Sequence, residues 1–204
     1  MTWSHYRTLL SIKNTNKINY YIKISEEQNL SVRELRTKIK NNEYERLDDK
    51  TKEKLRENKI NNEVIDYIKN PILINNKNNY NEISEKMLQK IILKDIPSFL
   101  KELGNNFCFI DNEYKIKIGD RYNYIDLLLF NYEFNCFVVV ELKVTELRKE
   151  HIGQILVYMN YIDNNLRKVI QDKTIGIIIC KKDNKFIIEY ASDKRILSKE
   201  YQLN

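Results

Sequence analysis

Residues 136–144 read CFVVVELKV, an apolar and largely β-branched run in which only Glu141 and Lys143 carry charge. Such a run is typical of a strand buried inside a sheet. Side chains two apart in a strand point to the same face, so Glu141 and Lys143 share one face and their apolar neighbours share the other. Because burying an unpaired charge is costly, these two groups must be paired, solvated or bound to a metal ion.

The segments around this strand predict an α/β or α+β sandwich around one central sheet. Four strands are expected over residues 107–110 (FCFI), 114–118 (YKIKI), 122–130 (YNYIDLLLF) and 136–144. A helix from about Lys149 to Ile170 follows. Two further strands are expected over residues 174–180 (TIGIIIC) and 185–191 (KFIIEYA), joined by the turn sequence at residues 182–184.

A helical pattern precedes the strands and runs from Ile83 to Leu103, with Gly104 as its C-cap. Pro97 interrupts this pattern. Proline removes a backbone donor and clashes one turn back, so it either kinks the helix or starts a second helix that is capped by Asp95.

Residues 1 to about 70 are predicted to be helical and irregular. Ser31 and Glu34 fit a capping box, and residues 47–58 and 61–70 are amphipathic. The asparagine-rich, proline-containing stretch at residues 70–81 indicates a domain boundary. We therefore expect a small helical domain over residues 1–72 and a second domain over residues 80–204.

Composition restricts the class of protein. The chain has 204 residues, of which 42% are hydrophobic and 31% are charged, and its mean hydropathy is −0.58. These values exclude a disordered chain and a membrane protein. No apolar run approaches the ~20 residues of a membrane span, and the N-terminus lacks the features of a signal peptide, so a cytoplasmic protein with no membrane partner is expected. The three cysteines are expected to be buried free thiols.

The formal net charge of +6 permits a polyanionic partner and slightly favours nucleic acid. The basic residues are spread along the chain rather than concentrated in a tail. Arg33, Arg36 and Arg46 are candidates for phosphate contacts, although a charged helix face is more often only solvated.

Asp126 is expected to join Glu141 and Lys143. It lies in the preceding strand, and the short connection NYEFN predicts a hairpin that brings Asp126 close to Glu141. Two carboxylates form a hard oxygen site suited to Mg²⁺, with Mn²⁺ as a substitute. Such a site fits metal-dependent phosphodiester hydrolysis, in which the metal activates water and Lys143 assists as a cation.

The alternative is a Glu–Lys pair without function on a solvent-facing sheet edge. In a chain so rich in both residue types, an E-x-K spacing arises easily by chance. The apolar strand context, the acidic residue in the neighbouring strand and the basic balance of the chain favour the functional interpretation.

One sequence pattern resembles the PD-(D/E)XK nuclease superfamily: Asp126, then fourteen intervening residues, then Glu141-Leu142-Lys143. The resemblance implies a restriction-endonuclease-like mixed central sheet flanked by helices. Gln154 and Tyr158 match the Q-x-x-x-Y helix motif of the RecB-like branch of this superfamily, which implies that both side chains position substrate or water. The alternative for these two residues is a solvated helix surface.

The resemblance extends to the bacterial YhcG-type family. Its C-terminal nuclease domain looks like three segments of this chain: FCFIDNEYKIKIGDRYNYIDLLLFNYEFNCFVVVELK, GQILVYMNYID and IGIIICK. The end of its winged-helix-like, DNA-binding N-terminal domain is similar to WSHYRTLL and SVRELRTKIKNNEYERL. Members normally carry a further stretch before the WSHY segment. The first helix of such nucleases often supplies an acidic metal ligand; Gln89 stands at that position, and Glu85, one turn earlier, is the nearest acidic substitute.

The sequence thus predicts a Mg²⁺-dependent DNA endonuclease acting in defence, mobile-element or repair functions. The candidate catalytic residues are Asp126, Glu141, Lys143, Gln154 and Tyr158, and the candidate metal ligands are Asp126, Glu141 and Glu85. A homodimer would suit cleavage of both strands. The second hypothesis is a catalytically impaired relative that binds nucleic acid or a partner. His5 and His151 are too far apart for a histidine metal site, so a positioning or surface role is expected for each.

Overall fold

The computed structural model describes residues 1–56, 66, 68–76, 83–104, 106–191 and 193–204. The chain divides into two compact units, Met1–Lys69 and Asn70–Asn204. The predicted boundary segment at residues 70–81 contains a short strand, Ile72–Ile74, that belongs to the sheet of the second unit. The predicted helix at residues 61–70 lies mostly outside the described residues.

The first unit is helical. Its described helices are α1 (Trp3–Leu9), α2 (Thr15–Glu27), α3 (Val32–Lys40) and α4 (Asp49–Arg56). The predicted capping box is confirmed, because the Ser31 hydroxyl accepts from the Glu34 N–H and the Glu34 carboxylate accepts from the Ser31 N–H. An apolar cluster holds these helices together; its buried members are Leu9, Tyr20, Tyr21, Ile24, Leu35, Tyr44 and Leu47.

The second unit is a six-stranded mixed sheet flanked by helices, which confirms the predicted fold class. In chain order its elements are β1 (Ile72–Ile74), α5 (Glu85–Lys94), α6 (Ile96–Leu103), β2 (Phe107–Ile118), β3 (Arg121–Asn131), β4 (Cys136–Glu146), α7 (Lys149–Asn165), β5 (Asp172–Lys182), α8 (Lys185–Glu189) and β6 (Ile196–Leu203). The strand order is β1-β6-β5-β4-β3-β2. β2, β3 and β4 form an antiparallel meander, and β4, β5, β6 and β1 are parallel.

The helices around Pro97 follow the second of the two predicted alternatives. α5 ends at Lys94, and the Asp95 side chain accepts from the Ser98 N–H to cap α6, in which Pro97 occupies the first turn. Proline is tolerated there because the N–H groups of the first turn have no partner within the helix.

Several predicted elements differ from the structure. Residues 185–189 form the helix α8 instead of a strand, because the Asn184 side chain caps its first turn by accepting from the Ile187 N–H. The segments FCFI and YKIKI form one strand, β2, with a register shift between Phe109 and Asp111. α7 ends at Asn165, earlier than predicted. β1 and β6 were not predicted. Cys136 and Cys180 are buried free thiols as expected, but Cys108 is exposed.

The core of the second unit joins α7 to the sheet. Ile155, Met159 and Ile162 of α7 pack in one cluster with strand residues that include Val139 and Ile178. Val139, Glu141 and Lys143 share a face of β4 by strand alternation, so the candidate charges continue the face that packs against α7. Among the helices that the structure describes, none is both long and apolar enough to cross a membrane.

Candidate active site

The site lies where β3 and β4 separate. Their paired residues run from Asn131 and Cys136 to Leu127 and Val140. Beyond Leu127 and Val140, hydrogen bonds from backbone N–H groups to carboxylate side chains take the place of the backbone pairing between the strands. The Leu142 N–H donates to Asp126 Oδ2 at 2.8 Å, and the Asp126 N–H is 3.5 Å from Glu141 Oε1 in a long hydrogen bond. Each carboxylate therefore accepts from the backbone of the opposite strand, and the two acids are brought together as the hairpin predicted.

Lys143 lies beside two acidic side chains, Glu141 of β4 and Glu85 of α5. Its Nζ is 3.4 Å from Glu141 Oε2 and 3.7 Å from Glu85 Oε2. Only 2% of Glu141 and 8% of Lys143 are exposed, whereas the Glu85 side chain is 45% exposed. The structure thus places Glu85 at the solvent side of the ammonium group and Glu141 at its buried side.

If all were ionised, Asp126, Glu141 and Glu85 would place three negative charges around the single ammonium group of Lys143. Burial, followed by the nearby charge of Asp126, raises the pKa of Glu141 to about 8. Burial also raises the pKa of Asp126, with smaller contributions from Glu85 and Glu113. For Lys143, burial opposes the charged form, but Glu141, Glu85 and Asp126 together raise its pKa above the ordinary value. A second cation would therefore stabilise this group of side chains.

Gln89 supports the site from α5. Its amide Nε2 donates to the backbone carbonyl of Asp126 at 3.0 Å, and only 6% of the residue is exposed. The residue at the position where an acidic ligand is expected therefore contacts the backbone of the candidate ligand Asp126. The sequence did not predict this hydrogen bond, because no residue pattern indicates which backbone carbonyl of a strand is left without a partner in the sheet.

α7 contributes the predicted polar pair. Gln154 Nε2 donates to the Tyr158 hydroxyl at 3.1 Å. Tyr158 is buried and belongs to the apolar cluster, so a solvated surface does not describe it. Burial raises the pKa of Tyr158, and the charge of Glu141 raises it further, which places the phenol within the electrostatic range of the carboxylates.

The two histidines have local structural contacts. His151 Nδ1 accepts from the Arg148 N–H at the start of α7. Burial and then the charge of Lys143 lower the pKa of His151, so it stands near the site as a neutral side chain. His5, in the first unit, is buried and bonds to the Leu30 carbonyl.

The three candidate arginines of the first unit differ in exposure. Arg33 and Arg36 of α3 are exposed. Arg46 is buried, and its Nε donates to the Asn41 carbonyl at 3.1 Å. The exposed pair is available to a ligand, whereas the observed contacts of Arg46 stabilise the fold of its own unit.

The chemistry of the donor set fits a divalent cation. Asp126 and Glu141 present carboxylate oxygens, which are hard ligands, and their mutual repulsion is relieved by positive charge. Within the described ranges, no group of three or more acidic, histidine or cysteine side chains is arranged to hold a metal. Two carboxylates with water completing the shell is the arrangement that Mg²⁺ commonly accepts.

Comparison with known proteins places the chain in a family. The family described as the YhcG PDDEXK nuclease domain matches residues 65–204, and the DUF1016 N-terminal domain matches residues 1–46. YhcG of Escherichia coli (strain K12) is 26% identical over 208 residues, which cover 98% of this chain and 56% of that protein. The chain therefore spans little more than half the length of this relative.

Two solved structures are similar over part of the chain. A repair endonuclease from Pyrococcus abyssi has a TM-score of 0.41 at 16% identity and covers 59% of this chain and 48% of its own. An EndoMS–dsDNA complex has a TM-score of 0.40 at 18% identity and covers 62% and 48%. With the YhcG PDDEXK nuclease domain matching residues 65–204 and the strand-borne acidic pair in place, this chain belongs to the YhcG family of PDDEXK nucleases.

Proposed function

We propose that the chain is a Mg²⁺-dependent DNA endonuclease, with Mn²⁺ as a substitute, that acts in a defence, mobile-element or repair context. The observation that carries this proposal is the convergence of Asp126 and Glu141 from two separating strands, with Lys143 Nζ 3.4 Å from Glu141. The net charge of +6 suits a polyanionic substrate.

Asp126 and Glu141 would hold the cation, and Glu85 lies close enough to Lys143 to approach the same site. When bound, the cation would lower the pKa of a water molecule and neutralise charge on the phosphate. Each of the two carboxylates is fixed by a backbone N–H of the opposite strand, so the pair needs little rearrangement before it binds.

Lys143 supplies a fixed positive charge beside the scissile phosphate. Its raised pKa keeps the side chain protonated at neutral pH, so it acts by stabilising the negative charge that develops on phosphate oxygens. A protonated amine cannot accept a proton, and this favours electrostatic stabilisation over general-base catalysis for Lys143.

Gln154 and Tyr158 would position substrate or water from α7. Their mutual hydrogen bond leaves the Tyr158 hydroxyl able to donate one proton, and a phosphate oxygen or an attacking water can accept it. Because the phenol is held in the apolar cluster, its orientation is fixed by packing.

The proposal is tested by cleavage of supercoiled, linear and branched DNA with Mg²⁺ and with Mn²⁺. Glu141→Gln and Lys143→Met should each abolish cleavage of the substrate that the unmodified chain cuts, because they remove a ligand and the catalytic cation. Glu146→Gln is the matched control, since Glu146 is an exposed acid on the same strand. Equal cleavage by the two site variants and the control would reject the assignment.

The second candidate is a catalytically impaired relative that binds nucleic acid or a partner. The observation that favours it is Gln89, whose amide donates to Asp126 where related nucleases often place an acid. This candidate predicts that neither Mg²⁺ nor Mn²⁺ binds saturably even with DNA present, whereas the nuclease predicts saturable binding.

A further inference from the structure

The hairpin of β2 and β3 extends beyond the part of the sheet that β4 covers. β2 and β3 pair up to Ile118 and Arg121, but the pairing of β3 with β4 stops at Leu127. Residues 114–125 therefore form a two-stranded β-ribbon that projects from the sheet next to Asp126. Gly119, with a φ of +59°, lies in its turn.

The ribbon has one buried face and one exposed face. Ile116 and Ile125 are 1% and 0% exposed and belong to the apolar cluster of the second unit. The other face carries two directly opposed pairs, Lys115 with Tyr124 and Lys117 with Tyr122. Tyr122 and Tyr124 are 55% and 52% exposed, and both lysines are exposed as well.

About half of each tyrosine on this face is exposed to solvent. An exposed tyrosine pair would be expected to bury its rings if the fold required them, because each ring offers a large apolar area. Instead, Lys115 Nζ stands 3.9 Å from the centroid of the Tyr122 ring. This cation–π contact covers part of one side of the Tyr122 ring, and 55% of the residue remains exposed.

The exposed tyrosines lie on the strand that leads to the proposed catalytic centre. Tyr124 and Tyr122 lie two and four residues before Asp126 on β3. At about 3.4 Å per residue, Tyr124 lies roughly 7 Å and Tyr122 roughly 14 Å from Asp126 along the strand. A strand of nucleic acid whose phosphate reaches Asp126 can therefore extend toward these tyrosines.

We propose that the face formed by Lys115, Lys117, Tyr122 and Tyr124 binds a single-stranded segment of the DNA substrate next to the scissile phosphate. This inference rests on the proposed nuclease function. Residues 114–125 contain three cations, Lys115, Lys117 and Arg121, against the single anion Asp120, so the ribbon attracts a phosphate backbone.

The chemistry of the face selects an unpaired strand over a duplex. Open tyrosine rings stack on the faces of bases, and these faces are free only where the bases are unpaired. A duplex presents base edges in its grooves, and those edges are recognised by hydrogen-bonding side chains rather than by ring faces. The preferred substrate is accordingly DNA with a flap, a branch or a single-stranded end.

The test measures the fluorescence anisotropy of two labelled ligands, a single-stranded oligonucleotide and a blunt hairpin duplex, in EDTA so that no cleavage occurs. Replacing Tyr122 and Tyr124 by alanine should weaken single-strand binding about tenfold per ring, with less than about a twofold change for the duplex. Lys115→Gln with Lys117→Gln should reduce the slope of log K against log salt by about 1.4 for the single strand.

Matched controls separate stacking from folding. Tyr132→Ala and Tyr190→Ala remove tyrosines that are 60% and 83% exposed outside the ribbon, and they should leave single-strand binding unchanged. Replacing Tyr122 and Tyr124 by leucine keeps apolar bulk and removes the ring, so it should lose single-strand affinity while thermal unfolding stays as in the unmodified chain.

Ribbon variants that bind both ligands as the unmodified chain does would overturn the inference. Equal losses for single strand and duplex would also overturn it, since they would indicate general phosphate binding. The two proposals fail separately. Selective single-strand binding without cleavage of any DNA would reject the proposed nuclease activity and support the single-strand site on the ribbon. Cleavage that the ribbon variants leave unchanged would support the nuclease activity and reject the single-strand site.

Discussion

Asp126 and Glu141 have a structural as well as a chemical role at the residue scale. Each accepts from the backbone of the opposite strand at the point where the ladder of β3 and β4 ends. The strands can separate there because the carboxylates satisfy N–H groups that the ladder no longer pairs. The same separation brings together the buried Glu141 and the partly buried Asp126, and a cation is most stabilising beside such a pair.

The raised pKa of Glu141 predicts a pH dependence of stability in the metal-free protein. Its pKa is about 8 in the folded chain against 4.5 for an unperturbed glutamate. Between these values the folded state binds more protons than the unfolded state, so the free energy of unfolding decreases as pH rises. The slope contributed by this one group is at most ~1.4 kcal/mol per pH unit.

Urea denaturation in EDTA from pH 5 to pH 8 measures this slope. Glu141→Gln carries no titrating group at the position and should flatten the dependence, while Glu146→Gln should retain it. Identical slopes for the unmodified chain and Glu141→Gln would show that Glu141 does not bind the proton.

Gln89 offers a prediction about positioning. Gln89→Ala removes the donor to the Asp126 carbonyl and leaves a buried acceptor, which should cost about 1–3 kcal/mol of stability and lower kcat with little change in KM. Lys90→Ala, at an exposed neighbouring position, is the control. An unchanged kcat for Gln89→Ala would show that its contact with Asp126 does not matter for catalysis.

At the scale of elements, the close packing of α7 on β5 sets the distance of Gln154 and Tyr158 from the sheet. A Cβ atom at Gly176 would lie 2.6 Å from Met159 Sδ and 2.8 Å from Ile155 Cδ1. Both side chains are fully buried, so the helix cannot easily yield. Glycine at this position lets the helix that carries the candidate polar pair approach the strand.

Gly176→Ala should therefore destabilise the second unit by about 1–3 kcal/mol through overpacking and should also reduce cleavage by displacing α7. Gly153→Ala is a sharp comparison, because a Cβ atom there meets nothing within 4 Å and alanine favours the helix. Thermal unfolding of both variants measures whether Gly176→Ala is less stable than Gly153→Ala. A Gly176→Ala protein as stable as Gly153→Ala would contradict the close contact.

The elements with strong local signals were predicted from the sequence. The apolar run of β4 and the Ser31 capping box each depend on neighbouring residues alone, and the Asp95 cap before Pro97 is one of the two alternatives that the sequence left open. The contact of Asp126 with β4 followed from the short connection between the strands. For these features, local sequence and final structure agree.

The elements that were missed depend on distant partners. β6 contains the buried polar residues Ser198 and Lys199, which interrupt the apolar pattern that would predict a buried strand. The Ser198 hydroxyl donates to Asp183. β1 is only three residues long and exists through parallel pairing with β6. The short apolar run in α8 fits a strand or a helix equally, and the Asn184 cap selects the helix.

At the scale of the whole molecule, the chain combines a helical unit with a nuclease-family unit. The functional assignment of the first unit is a prediction, with the exposed Arg33 and Arg36 on α3 as its candidate DNA contacts. If they contact two phosphates of a duplex, replacing both by glutamine should reduce the salt slope of duplex binding by about 1.8.

Lys50→Gln, which removes an exposed cation elsewhere in the first unit, is the control for the arginine pair. Anisotropy titrations of the full chain over a series of salt concentrations provide the slopes. If the arginine variant and the control had the same slope as the unmodified chain, α3 would not be a DNA-binding surface.

The central claim is that Asp126 and Glu141 together hold a divalent cation. Calorimetric titration of the full chain with Mg²⁺ and with Mn²⁺, in the presence of DNA, tests it most directly, with Asp126→Asn, Glu141→Gln and the control Glu146→Gln. We predict saturable binding by the unmodified chain and the control and loss of binding in both site variants. Equal binding by all four proteins, or none by the unmodified chain, would contradict the claim.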